Sequence, residues 1–166
     1  MNRFTLKNLF FNRSTEPAQP KERRKKPRPV DGYDLTVLVV DDSRTVVAAF
    51  KKVLTQAGFD VISAANGEEG VAQAKTHLPD IILMDVVMPV LNGYQATRRI
   101  RKDELTSHIP IIIVSGETQP TEQYWGKRVG ANGFLTKPVD RGLFFETIFE
   151  ALDAHEVINT AEKPIQ

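Results

Sequence analysis

Three aspartates, a serine and a lysine stand out because each follows or closes a run of apolar, largely β-branched residues. The carboxylates are Asp41, Asp42 and Asp85, the hydroxyl is Ser115 and the ammonium is Lys137. If these runs are strands of one parallel sheet, their carboxyl ends share an edge where ligands bind. Carboxylates held close together repel each other and resist ionising. A hard divalent cation relieves that repulsion, and Mg²⁺ suits carboxylate, carbonyl and water oxygens.

A cation, an ammonium and a hydroxyl around one carboxylate form a site that binds a phosphoryl group. The central carboxylate can act as a nucleophile and form an aspartyl phosphate. The cation and the lysine would stabilise charge on the equatorial oxygens of the transferring group. Taken singly, Asp41 or Asp42 is equally typical of a helix cap, and Lys137 of an ordinary loop. Their joint occurrence at four strand ends favours the phosphoryl-site interpretation.

The surrounding sequence alternates short apolar runs with segments of helical periodicity, which is typical of α/β proteins. Strands are predicted at Thr36–Val40, Asp60–Ala64, Asp80–Met84, Ile111–Val114 and Gly133–Thr136. Helices are predicted from the Ser43 cap to Gly58, from Asn66 to Leu78, over Tyr94–Ile100, around Gln123–Val129 and over Leu143–Leu152. Because crossovers between parallel strands are right-handed, these elements predict a parallel sheet covered on both faces.

Composition is that of a soluble globular chain without cysteine. The 166 residues are 41% hydrophobic and 26% charged, which is enough to bury a core in one domain. The absence of cysteine excludes disulfides, thiol catalysis and cysteine-ligated metals. No apolar run approaches the roughly 18 residues of a membrane span, and the Leu9–Phe11 run is too short for a signal peptide. We therefore expect a cytoplasmic protein.

Residues 1–33 differ in charge from the rest of the chain. They carry nine Lys or Arg against three Asp or Glu, a net of +6, whereas the remainder carries 13 against 18, a net of −5. Four prolines among these charges predict a disordered basic arm, followed by a domain over 34–155 and a tail over 156–166. The run Lys21–Arg28 lacks interleaved aromatics, so we favour a solvated tether over a nucleic-acid or acidic-lipid site. The apolar residues of Met1–Asn12 leave a weak membrane or docking contact open.

Four motifs together resemble the receiver domain of bacterial response regulators, the CheY-like family. They are Val39-Val40-Asp41-Asp42-Ser43, Met84-Asp85-Val86-Val87-Met88-Pro89 with Asn92-Gly93, Val114-Ser115-Gly116 and Leu135-Thr136-Lys137-Pro138. The resemblance covers about residues 35–155 and implies a flavodoxin-like (βα)5 fold, doubly wound around a parallel five-stranded sheet of order 2-1-3-4-5. Within the family, the stretch from Trp125 to Asp140 resembles the single-domain regulators of the chemotaxis-like pathway that controls type IV pilus twitching motility.

The resemblance assigns the carboxylates to phosphoryl acceptance and magnesium binding. Asp85 would accept the phosphoryl group from a phosphohistidine of a chemotaxis-type sensor histidine kinase. Asp42, Asp85 and the backbone carbonyl of Val87 would bind Mg²⁺, and Asp41 would assist mainly through water. The Val87 side chain gives no help to an attacking water, so we expect slow self-dephosphorylation.

The resemblance also assigns roles to the remaining site residues. Lys137 would pair with Asp85 and then with the phosphate, and a cis bond before Pro138 would aim the lysine inward. Ser115 would hydrogen-bond a phosphate oxygen, and Phe134 would take the aromatic switch position. Serine stands where threonine is commoner and phenylalanine where tyrosine is common, so Ser115 lacks a methyl group and Phe134 lacks a hydroxyl contact.

Residues 156–166 are too few for an output domain, so we expect a stand-alone response regulator rather than an enzyme, with at most self-catalysed phosphotransfer and dephosphorylation. An unidentified output protein would bind the face of helix 4, strand 5 and helix 5. Contacts would come from Tyr124, Trp125 and the second apolar stripe of the last helix, which comprises Phe145, Phe149 and Leu152.

Two alternatives stay open at this point. In the first alternative, the chain would act as a phosphorylation-independent scaffold through its basic N-terminal segment. In the other it would be a phosphatase with an aspartyl nucleophile. The phosphatase is disfavoured because Val87 stands two residues after Asp85, where a second carboxylate would be needed as general acid.

Overall fold

A computed structural model describes residues 34–116 and 120–161 of the chain, with side chains for 34–116 and 124–155. In this part of the chain, strands and helices alternate throughout. The strands are β1 (Thr36–Val40), β2 (Asp60–Ala64), β3 (Ile81–Asp85), β4 (Ile111–Ser115) and β5 (Gly133–Thr136). The helices are α1 (Arg44–Gln56), α2 (Gly67–His77), α3 (Gly93–Lys102), α4 (Pro120–Arg128) and α5 (Arg141–Ala161). The predicted α/β fold is confirmed.

The five strands form one parallel sheet in the order β2-β1-β3-β4-β5. This is the predicted order 2-1-3-4-5. The order reverses between β1 and β3, and open parallel sheets bind ligands at the carboxyl ends of the strands beside such a reversal. The fold therefore directs attention to the residues that follow β1 and close β3.

Both faces of the sheet are buried, as the continuous apolar runs predict. Alternate residues of β1 point to opposite faces: Val37 and Val39 contribute to a core with α1 and α5, and Leu38 and Val40 to a core with α2 and α3. Burying one such aliphatic side chain contributes about 1.5–3 kcal/mol. Two cores that share one sheet hold the strand ends in fixed relative positions.

Helix caps fix the loops that leave the first three strands of the chain. Ser43 and Asn66 accept hydrogen bonds from backbone N–H groups three residues later, at 3.4 and 2.9 Å. Asn92 and Gln95 form a reciprocal capping box at the start of α3. Since each cap ends a short loop above the sheet, these loops have little freedom.

Two helices differ from the predicted ranges. Helix α4 begins at Pro120 rather than near Gln123, because proline is well suited to the first turn of a helix. Helix α5 is longer than Leu143–Leu152 and continues to Ala161, past the domain boundary expected at residue 155. None of the helices in the described part of the chain has both the length and the apolar character that crossing a membrane requires. The predicted arm 1–33, with its tether and its weak membrane contact, lies outside the described residues, as do residues 162–166.

One prediction about α5 is wrong. The second apolar stripe was expected to offer partner contacts, but Phe145, Phe149 and Leu152 are only 7%, 2% and 4% exposed. The helix turns both of its apolar stripes inward, and the ring of Phe149 lies 6.3 Å from that of Phe59 in the core with α1. The guanidinium of Arg141 lies 6.0 Å from the Phe145 ring. These rings are therefore core residues and not partner contacts.

Candidate functional site

The carboxylates come together where the sheet order reverses. Asp41 directly follows β1, and Asp85 is the last residue of β3. Val40 is paired with Met84 across the two strands, so Asp41 and Asp85 lie next to each other. Both are buried, with 3% and 7% of their surface exposed, whereas the neighbouring Asp42 is exposed.

Lys137 joins the two buried carboxylates. Its Nζ donates to Oδ2 of Asp41 and to Oδ1 of Asp85, each at 2.7 Å. Its backbone N–H donates to the carbonyl of Ser115 at 2.7 Å, which ties the lysine to the end of β4. The peptide bond between Lys137 and Pro138 is cis, as the family resemblance implies. The ammonium is thus held in place by both its backbone and its partners.

The electrostatics of the site follow from burial and charge crowding. Burial raises the pKa of Asp85, the hydrogen bond and charge of Lys137 lower it, and the charges of Asp41 and Asp42 raise it, with a net upward shift. Burial lowers the pKa of Lys137, but its hydrogen bonds to Asp41 and Asp85 and their charges outweigh burial and raise it. Lys137 therefore stays charged, and it favours the ionised form of an otherwise disfavoured carboxylate.

The acidic cluster could hold a metal ion. One carboxylate oxygen from each of Asp41, Asp42 and Asp85 lies within 4.8 Å of the others. Hard oxygen donors of this kind suit Mg²⁺. The two oxygens of Asp41 already accept hydrogen bonds, from the Ser43 N–H at 2.8 Å and from Lys137. That leaves Asp42 and Asp85 as the better direct ligands, in line with the indirect role expected of Asp41.

The loop after Asp85 is shaped by close backbone contacts. The N–H of Gly93 donates to the Val86 carbonyl at 3.0 Å and closes the loop. A Cβ at position 93 would collide with the Asp85 carbonyl oxygen, so only glycine lets α3 start this close to the end of β3. The structure places Val87 on this loop with 71% of its surface exposed. The metal-binding role of its carbonyl stays a prediction.

Ser115 and Phe134 lie on the neighbouring strands β4 and β5. Ser115 is 1% exposed at the end of β4, and Phe134, which is half-buried, lies on β5. A Cβ at Gly126 of α4 would lie 3.5 Å from the Phe134 ring, so the ring packs directly against that helix. Among the described residues, a Cβ at Gly116 would meet no atom within 4 Å. The phosphate and switch roles of Ser115 and Phe134 stay predictions.

Two features of the structure were not predicted from the sequence. One is the contact of Lys137 with Asp41, since the resemblance paired the lysine with Asp85 alone. The predicted strand order could have indicated this contact. Because β1 and β3 are neighbours, a lysine that follows β5 and reaches Asp85 at the end of β3 also comes close to Asp41 at the end of β1.

The other feature is a half-buried arginine at the opposite edge of the sheet. Arg101 donates to the carbonyls of Ser107, Ile109 and Gly130 at 3.1, 2.7 and 2.8 Å, and to Oδ1 of Asn132 at 2.7 Å. Burial lowers the pKa of Arg101. The arginine joins the end of α3 to the start of β4 and to the turn between α4 and β5. No sequence pattern singles it out.

Comparison with known proteins agrees with the geometry. A family model described as the response regulator receiver domain matches residues 37–149. The chain is 50% identical over 112 residues to Protein PilH of Pseudomonas aeruginosa, covering 68% of this chain and 93% of the relative. It is 35% identical over 122 residues to Protein PilG of the same organism, covering 73% and 87%. It also matches the response regulator PleD of Caulobacter vibrioides, at 36% identity, but spans only 25% of that protein.

Solved structures give the same result. Chemotaxis protein CheY4 of Vibrio cholerae is 35% identical, with a TM-score of 0.68, and the match covers 71% of this chain and 98% of that one. A response regulator from Chloroflexus aurantiacus is 34% identical, with a TM-score of 0.69 and coverage of 71% and 97%. The matched region contains the acidic cluster, Ser115 and Lys137. The chain therefore belongs to the response regulator receiver domain family.

Proposed function

We propose that this chain is a phosphorylation-dependent response regulator in which Asp85 accepts a phosphoryl group from a histidine kinase of the chemotaxis type. One observation carries the proposal: the Lys137 ammonium lies 2.7 Å from both Asp41 and Asp85 within a group of three carboxylates. We further propose that the system controls pilus-based twitching motility. The similarity to PilH and PilG supports this assignment.

The proposed step is a displacement at phosphorus. A carboxylate oxygen of Asp85 forms a bond to phosphorus while the bond from phosphorus to the donor's imidazole nitrogen breaks, and the imidazole keeps the electron pair. Lys137 favours the ionised nucleophile beforehand and then stabilises the transferred oxygens. Asp42, Asp85 and the Val87 carbonyl would hold Mg²⁺, which supplies further positive charge for those oxygens when bound.

The signal would leave the site through β4, β5 and α4. Ser115 would approach the phosphate at the end of β4, and Phe134 would change rotamer in the space that the serine vacates. Because the Phe134 ring packs against α4 at Gly126, such a change would alter the packing of this helix. Tyr124 and Trp125 of α4 are 57% and 50% exposed and would carry the change to an output protein on the face of α4, β5 and α5.

The test uses the single tryptophan of the chain as a reporter. Acetyl phosphate or beryllofluoride is added with Mg²⁺, and Trp125 fluorescence and backbone NMR shifts are followed. We expect a saturable change that Asp85→Asn abolishes. Asp140→Asn is the matched control, because Asp140 also follows a strand but caps α5 at the Leu143 N–H (2.9 Å), so it should respond like the wild type.

Two outcomes would overturn the proposal. A mass spectrum that places the phosphoryl adduct on another side chain would remove Asp85 as the acceptor. Spectral changes that persist unchanged in Asp85→Asn would favour a phosphorylation-independent scaffold. Phosphotransfer from candidate kinases, followed by pulldown with the phosphorylated chain, then identifies the donor and the output protein.

A further inference from the structure

A strained turn lies in the loop that follows the acceptor. The N–H of Leu91 donates to the carbonyl of Pro89 at 2.8 Å, which closes a three-residue turn around Val90. Val90 has φ +68°, so this is a γ-turn of the rare positive-φ kind. A β-branched residue is disfavoured in this conformation, because its Cβ crowds the backbone. Val90 is therefore an unusual choice where glycine or asparagine fits without strain.

Neighbouring contacts hold the strained turn in place. Leu91 is buried, and its carbonyl accepts a hydrogen bond from the Gly67 N–H at 3.0 Å. A Cβ at Gly67 would collide with that carbonyl, so α2 fits closely against the turn. Met88 is buried on the other side of Val90. The contacts of neighbouring residues thus fix the backbone conformation of Val90, and the valine side chain does not favour it.

The side chain of Val90 has no packing role that would explain valine. It is 81% exposed, although valine is ordinarily a core residue. Val87 on the same loop is 71% exposed. The base of this loop adjoins Asp85, since Gly93 closes it against Val86. We call Val87 and Val90 the apolar rim. Strained residues that persist without a packing benefit cluster at functional sites.

We infer that Val90 is a recognition residue for the protein that donates the phosphoryl group, and that it contacts an apolar side chain beside the donor's phosphohistidine. The inference rests on the proposed function. Asp85 is only 7% exposed, so a phosphohistidine must enter the pocket to reach it, and the surface carrying that histidine then covers the rim. A small donor such as acetyl phosphate enters without covering Val90. Because the rim is apolar, the matching donor surface is apolar as well.

The experiment compares a protein donor with a small donor on the full chain. Purified chemotaxis-type histidine kinases are autophosphorylated, and transfer to wild type, Val90→Asn and Val90→Ile is timed. The same variants are then phosphorylated with acetyl phosphate. Asparagine tolerates positive φ, so Val90→Asn keeps the turn and removes the apolar contact, whereas Val90→Ile keeps both. Leu105→Asn is the control, because Leu105 is 62% exposed on the loop before β4, at the other edge of the sheet.

We expect Val90→Asn to lower kcat/KM with the kinase by about tenfold, the scale of one apolar contact in an interface centre. Val90→Ile and Leu105→Asn should stay within about twofold, and all variants should match the wild type with acetyl phosphate. Equal transfer to Val90→Asn and wild type would overturn the inference while leaving the proposed function intact. So would a chain that takes phosphate from acetyl phosphate and from none of the kinases. A chain phosphorylated by neither donor would instead overturn the proposed function.

Discussion

Nζ of Lys137 lies 2.7 Å from Oδ1 of Asp85, although 52 residues separate them along the chain. The lysine is the main influence that favours the ionised carboxylate, since burial and the charges of Asp41 and Asp42 all raise its pKa. A lysine that lies 52 residues further along the chain thus favours the ionised form of Asp85.

Replacing this lysine should change the titration of Asp85. In Lys137→Met, only the influences that raise the pKa of Asp85 remain, so we expect that pKa to rise above its wild-type value. Carboxyl carbon NMR during a pH titration measures it. Lys75→Met is the control, because Lys75 pairs with Asp103 at 2.6 Å on the surface and should leave Asp85 unaffected. An unchanged pKa in Lys137→Met would contradict the electrostatic role of the lysine.

The raised pKa of Asp85 also predicts a gain in stability when its charge is removed. A carboxyl whose folded pKa lies above the ordinary 3.8 favours the fold at low pH, and this contribution is lost as pH rises through the folded value. We therefore expect Asp85→Asn to raise the free energy of unfolding at pH 7. The gain should shrink toward zero below about pH 4.

Urea unfolding at the two pH values measures this difference. Asp103→Asn is the control of opposite sign, because the hydrogen bond from Lys75 lowers the pKa of Asp103, so this variant should show no gain at pH 7. A loss of stability in Asp85→Asn at pH 7 would show that its pairing with Lys137 outweighs burial and repulsion.

Magnesium should stabilise the fold through the same carboxylates. A ligand that binds only the folded state contributes about 2.7 kcal/mol at a hundred times its Kd. We expect thermal unfolding of the wild type to shift upward with Mg²⁺ and the shift to be much smaller in Asp42→Asn. Asp140→Asn should keep its helix cap, because asparagine caps as well as aspartate, and it should keep the full Mg²⁺ response. An equal response in Asp42→Asn would exclude this carboxylate as a ligand.

Much of this site was predictable because strand ends in a parallel sheet share an edge. The apolar runs located β1, β2 and β5 to the residue and placed Asp41, Asp85 and Lys137 at that edge. The strand order came from the family resemblance, because apolar runs do not say which strands are neighbours. The burial of Phe145 and Phe149 was missed, since periodicity shows that a stripe is apolar but not how much of it the sheet and α1 cover.

The sequence did not predict the contacts of individual polar residues or the backbone conformation of strained ones. Arg101 is one of four basic residues in α3. Only the folded chain shows that it meets two carbonyls of the loop before β4 and one that lies 29 residues away. Val90 has a residue type that predicts an extended backbone, and its positive φ is imposed by Leu91 and its neighbours.

The Arg101 contacts predict a large effect on stability. Lysine keeps the charge but not the planar fork of donors, so Arg101→Lys leaves the partly buried bonds to the Ile109 and Gly130 carbonyls without a donor. We expect a loss of about 2–3 kcal/mol in urea unfolding. Arg99→Lys is the matched control on the same helix, because the Arg99–Glu68 pair is exposed and should contribute less than about 1 kcal/mol. Similar losses in both variants would mean that the partly buried hydrogen bonds of Arg101 stabilise the fold no more than an exposed ion pair does.

Because Val90 lies in a strained turn, we expect replacement of its side chain to make the fold more stable and transfer from the kinase slower. Valine is disfavoured at φ +68°, and asparagine tolerates this conformation, so Val90→Asn should raise the free energy of unfolding by about 1 kcal/mol. The same variant should be the poorer acceptor from a kinase, as active sites often retain destabilising residues that function requires. Urea unfolding beside the transfer assay measures both quantities. A variant that is less stable than the wild type would show that the turn carries no strain, and the case for a functional valine would lose its physical basis.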